Sequence, residues 1–162
     1  MTRRTRFVVG LLLAWTLALA LVGWGKYGDH VREADRASSD KAAVAVAREQ
    51  VLGLTTLDYR KVDAQVAALV ARTTGGFRQQ FQLMAKTFEQ VVTSSKITAD
   101  GAVVAAGLSQ RSGDDAKVLI ASKATVKNTG SAQPTDRTYR MRVSLHRRDN
   151  GDWLVSNMEF VP

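Results

Sequence analysis

Few side chains in this sequence stand close enough together to do chemistry. The best grouping is Asp58 and Tyr59 with Asp63, where burial at the mouth of a pocket would raise a carboxylate's pKa beside a phenol. Asp58, Tyr59 and the nearby Phe77 are therefore the candidate pocket residues. The competing reading makes Asp58 a helix cap and Tyr59 a buried ring. His30 and His146 are far apart and lack the i, i+4 spacing of a helical zinc pair, so no metal site is expected. The absence of cysteine removes disulfides, a thiolate nucleophile and thiolate metal ligands. Asp114-Asp115 reads as a solvated turn. There is no nucleophile elbow, phosphate-cradling glycine loop or dinucleotide fingerprint, so the expectation is no catalytic residue and no cofactor.

Charge points to association instead. The formal net charge is +8, and Arg137, Arg140, Arg142, Arg147 and Arg148 gather around His146 near the C-terminus. Such a cluster resembles a nucleic-acid face, but a domain outside the cytoplasm would not meet nucleic acid. Acidic protein or lipid headgroups are the expected partners. Arg140, Arg142, His146 and Trp153 are the candidate partner-contact residues, since Arg and Trp are enriched at interface hot spots.

That placement rests on the N-terminus. Phe7 to Trp24 is an uncharged run of 18 residues, which as a helix reaches about 27 Å and just spans a bilayer core. Arg3, Arg4 and Arg6 precede it and a mixed-charge group follows, so the positive-inside bias puts residues 1–6 in the cytoplasm. Ala18-Leu19-Ala20 offers a signal-peptidase site, but Leu21 and Val22 carry the apolar run past it. The expectation is a retained single-pass anchor at 7–25, a stalk or linker at 26–39 and one extracytoplasmic domain at 40–162.

Helical periodicity opens that domain. Val44, Ala47, Val51 and Leu54 share a face that leaves Arg48, Glu49 and Gln50 outside, giving a helix over about 40–54. Asp58 would cap a second helix carrying Val62, Val66, Leu69 and Val70, ended by Gly75-Gly76. A third carries Phe77, Phe81, Met84, Phe88 and Val91, a stripe for packing against a sheet. The period then becomes extended, with strands over 101–111 and 116–127 around a turn at 112–115. Asn150-Gly151 between two alternating runs predicts a type I′ hairpin. Facing Asp149 with Asp152 pairs Leu145 with Ser156, Val143 with Met158 and Met141 with Phe160 on the buried face, and Arg142 with Glu159 outside. The fold class is α+β, three helices on a four-stranded antiparallel sheet.

The anchor at 7–24, "LTTLDYRKVDAQVAALVARTTGGFRQQF" at 54–81 and "VSLHRRDNGDWLVSNMEFV" at 143–161 together resemble the Mce-associated membrane proteins of actinobacteria. The resemblance implies a cone-like ectodomain of the nuclear-transport-factor-2-like type. It also implies a non-enzymatic accessory or scaffold subunit of an Mce-type lipid import complex, whose partners are the bilayer, Mce proteins, permease subunits and lipid. It brings no catalytic residues. Two alternatives stand beside it: an inner-membrane core component of a type IV secretion system, and an isomerase-like enzyme or lipid carrier using the cone's pocket.

Overall fold

The computed structural model describes residues 35–131 and 133–162. The expected anchor at 7–25, and most of the stalk, lie outside the described residues. No described helix is long and apolar enough to cross a membrane. The chain divides into two units, Met1–Ser39 and Asp40–Pro162, and the second carries the architecture that follows.

The first helix, α1, is helical over 35–55 among the described residues. It is followed by β1 (Leu57–Asp58), α2 (Val62–Ala71), α3 (Gly75–Ser94), β2 (Thr98–Ser112), β3 (Asp115–Lys127), β4 (Thr135–Arg147) and β5 (Trp153–Phe160). The strands form one antiparallel meander in chain order. The sheet thus has five strands rather than the expected four. Two-residue β1 is too short to show a period of its own and adds to β2 as Leu57 opposite Ala99 and Asp58 opposite Thr98.

Asp58 consequently caps no helix. Its carboxylate accepts from the backbone N–H and guanidinium of Arg60, and α2 starts at Val62 without a side-chain cap. The expected α2 face is present, with Val62, Val66 and Leu69 buried. On α1 the buried stripe is Ala43, Ala47 and Val51, all fully enclosed. Gln50, expected outside, is 1 % exposed because α1 crosses α2 there and Gln50 Nε2 donates to the Leu69 carbonyl at 3.3 Å.

The inner sheet face supplies the other half of the core. Val118 and Ile120 of β3, Met141, Val143 and Leu145 of β4, and Trp153 and Val155 of β5 close against α1. A smaller cluster joins Val62 and Val66 of α2 to Val92 of α3. Gly101 sits where α1 ends on the sheet. A Cβ there would stand 2.7 Å from the Thr55 backbone, so the helix seats only on a residue without a side chain. The α2–α3 linker latches onto the far edge: Val155 N–H donates to the Arg72 carbonyl and Thr74 N–H to the Val155 carbonyl, both at 2.9 Å.

The last hairpin departs from the expected register near its tip. Gly151 N–H donates to the Arg148 carbonyl at 2.8 Å and Arg148 N–H to the Asp152 carbonyl at 2.9 Å, which closes a three-residue loop. Only Gly151 has a positive φ (+91°), whereas a type I′ turn needs Asn150 there as well. Leu145 therefore faces Val155, not Ser156. An irregularity beyond Leu145 restores the expected pairs Val143–Met158, Arg142–Glu159 and Met141–Phe160. The loop and the bulge cancel each other.

Two large aromatic side chains differ in burial from what the sequence pattern predicts. Trp153, expected as a partner-contact residue, is 5 % exposed and belongs to the core. Phe160, expected buried, is 69 % exposed although it keeps its expected place opposite Met141, at the rim of a partly open pocket. The α3 stripe is also only partly covered. Phe77 reaches the main core, and Ala85, Phe88 and Val92 face α2, but Met84 is 68 % and Val91 51 % exposed.

Candidate functional site

A largely apolar pocket, partly open to solvent, lies at the end of the sheet away from the final hairpin's loop. It is a cavity of about 320 Å³ between the end of α1, β1, the second half of α3 and the inner face of the sheet. Its walls include Leu54, Leu57, Phe88, Ile97 and Met141, with Phe160 among the lining residues despite its exposure. Two lining side chains carry a hydroxyl, Thr55 and Tyr139. Thr55 Oγ1 already donates to the Val51 carbonyl at 2.8 Å. The Tyr139 ring tilts against Phe160 with centroids 6.0 Å apart. No acid–base pair lines this space among the described residues.

The expected pocket residues are elsewhere. Asp58 forms its own turn with Arg60, whose guanidinium hydrogen bonds hold the carboxyl below the usual carboxylate range. Tyr59 packs beside the α2–α3 cluster, with the Arg60 guanidinium 5.6 Å from its ring centre. Phe77 stacks on Phe81 at 5.9 Å and covers the main core. The structure therefore does not bring these three together into one site. The lining residues Phe88 and Phe160 were visible in sequence only as core candidates. Tyr139 carried no signal at all, because a cavity is made by what fails to fill it.

The candidate contact residues divide by strand face. Arg140, Arg142 and His146 lie on the outer face of β4, opposite Ala121, Leu119 and Asp115 of β3. Arg142 Nη1 donates to Glu159 Oε1 at 2.7 Å, and His146 Nδ1 lies 2.9 Å from Asp115 Oδ1. Arg140 is exposed and has no ion pair among the described residues. Trp153 is on the inner face. The Arg111 guanidinium stacks 4.4 Å above its ring and Arg147 is 5.9 Å away. Arg147 also binds Asp114 at 2.7 Å and holds that carboxyl below its usual range. No cluster of three metal-ligating side chains occurs among the described residues.

The curled antiparallel sheet with its three helices is an α+β fold that resembles nuclear-transport-factor-2-like and VirB8 folds. VirB8 of Agrobacterium tumefaciens matches it with a TM-score of 0.60 at 13% identity, covering 76% of this chain and 92% of that one. An IcmL-like type IV secretion system protein of Legionella pneumophila matches with a TM-score of 0.59 at 13% identity, over 74% and 89% of the two chains. Identities this low speak to fold alone. By sequence, the chain belongs to the family described as "Uncharacterized protein Rv1363c/MT1408-like", which it matches over residues 7–162. The protein Rv1363c of Mycobacterium tuberculosis is 32% identical over 133 residues, 82% of this chain and 51% of that protein. The chain thus spans about half the length of that relative.

Proposed function

We propose that this protein is a non-catalytic, membrane-anchored assembly subunit, whose extracytoplasmic domain binds other proteins of an envelope complex. The observation that carries this reading is the outer side of α3, where Leu83 is 82 %, Met84 68 % and Val91 51 % exposed. In a chain where 23% of residues are charged, this 20-residue helix has only Arg78, Lys86 and Glu89. Apolar residues with few charges around them are how the centre of a protein interface is composed. The outer sheet face, with Arg140, Arg142 and His146, would add the charged contacts that orient a partner.

Among envelope complexes, the fold shared with VirB8 and the IcmL-like protein favours a role of the type IV secretion core kind. The Mce importer is a second reading, which rests only on the resemblance of the segments at 7–24, 54–81 and 143–161 to that family. Both readings make the domain act through what it touches, since a tether raises the local concentration of neighbouring membrane subunits.

The test is co-purification from native membranes in mild detergent. Replacing Leu83 and Met84 together by Glu should abolish recovery of partner proteins while the domain stays folded. Reversing Arg140 and Arg142 to Glu should weaken it. Full recovery with both pairs replaced would refute the reading, and the partners recovered with the unaltered chain would separate a secretion assembly from an importer.

A further inference from the structure

We propose that the cavity at the open end of the cone binds a single hydrocarbon chain of an anionic amphiphile, with the acid group held outside at Arg137. This goes beyond the assembly role and does not depend on it.

The cavity's chemistry selects the occupant. Its volume of about 320 Å³ falls within the range of small-molecule sites. An ordered water would find few partners along its apolar walls, because one needs two to four polar groups. Here Thr55 has already spent its proton on a backbone carbonyl, and Tyr139 has the remaining hydroxyl. Nothing in the walls neutralises a charge, so whatever enters is apolar along its length.

The strand pattern supplies the other end. β4 alternates without a register shift from Thr135 to His146, so Met141, Tyr139 and Arg137 lie in that order along one face. Met141 is fully buried, Tyr139 half-buried and Arg137 exposed. This gradient runs from an apolar wall through one hydroxyl to a guanidinium, which matches a hydrocarbon chain, the start of its headgroup and a carboxylate or phosphate. Phe160, 69 % exposed on the neighbouring strand and tilted against Tyr139, gives the chain a second apolar surface where it leaves the cavity.

The test uses the full chain in phosphatidylcholine vesicles and two photoreactive probes of equal length, a diazirine-bearing hexadecanoic acid and the corresponding alcohol. After irradiation, the labelled peptides are mapped by mass spectrometry. The expected label falls on Leu54–Leu57, Ile97–Ala99 or Tyr139–Met141. Ala99→Phe, which fills the cavity from β2, should remove most of it, with circular dichroism confirming that the variant is folded. Arg137→Glu should lower capture of the acid about two- to fivefold, the scale of a rim ion pair, and leave capture of the alcohol unchanged. Label confined to residues 7–24 or to the outer sheet face would overturn the proposal, whatever the variants do. Equal loss of acid and alcohol in Arg137→Glu would overturn the placement of the headgroup.

Discussion

Trp153→Ala should be among the most damaging single changes in the domain, and Phe160→Ala among the milder aromatic ones, although the residues are only seven apart on one strand. Trp153 is 5 % exposed. A buried aromatic side chain removes about 150–250 Å² from water, worth about 4–6 kcal/mol at ~25 cal/mol per Å². That is an upper figure, because the unfolded chain is itself partly collapsed, and core aromatic truncations cost about 3–5 kcal/mol. Loss of the Arg111 guanidinium stacked at 4.4 Å adds about 1 kcal/mol. Phe160 is 69 % exposed, and the third of its surface that is covered accounts for only about 1–1.5 kcal/mol. The gap of at least ~2 kcal/mol corresponds to a difference in melting temperature on the order of 5–10 °C for a domain of this size. Far-UV circular dichroism melts of the full-length variants in one detergent would measure it without relying on tryptophan fluorescence. Equal destabilisation by the two substitutions would refute the inward placement of Trp153 and the hairpin register behind it.

Gly101→Ala should destabilise the domain by about 1–3 kcal/mol in urea titrations, because its Cβ meets the Thr55 backbone at 2.7 Å and α1 must shift to admit it. Gly151→Ala should cost about 1 kcal/mol for its positive φ, whereas Asn150→Ala should cost clearly less; a type I′ turn would penalise both, so equal losses would restore that turn. Asp114 has its folded pKa held below the ordinary 3.8 by Arg147, so its contribution is complete above that value and is lost as pH falls through the lowered one. The difference in melting temperature between wild type and Asp114→Asn should accordingly hold steady from neutral pH to about pH 5 and disappear on further acidification. A difference that grows with acid would contradict the pairing.

Much of this fold was legible because its periods are long. Val62, Val66 and Leu69 mark α2 unambiguously, and the alternation of β3, and of β4 from Tyr139 to Leu145, survives in burial. What escaped was decided by tertiary geometry. β1 has two residues and no pattern to read. Gln50 is polar by type, yet the crossing of α1 over α2 encloses it and gives it one carbonyl. Met84 and Val91 continue a regular stripe, but nothing described covers them, so periodicity identified the helix correctly and its burial incorrectly. In the final hairpin the distant pairs came out right because a longer loop and a bulge offset one another. The candidate site was harder still. Tyr139 and Phe160 become neighbours of Phe88 only when a long-range cavity forms, and Trp153 joins Arg111 across three intervening strand connections.

The central claim, that the domain works by binding other proteins of the membrane, is tested most directly by the mass of the native particle. The chain itself is 17.7 kDa. In a mild detergent extract of its native cells, sized by multi-angle light scattering with protein and detergent resolved, it should travel in a particle several times heavier in protein and containing other polypeptides. Leu83→Glu with Met84→Glu should return it to the mass of the chain alone. An unaltered protein that already runs at the mass of one chain, with no other polypeptide present, would contradict the account.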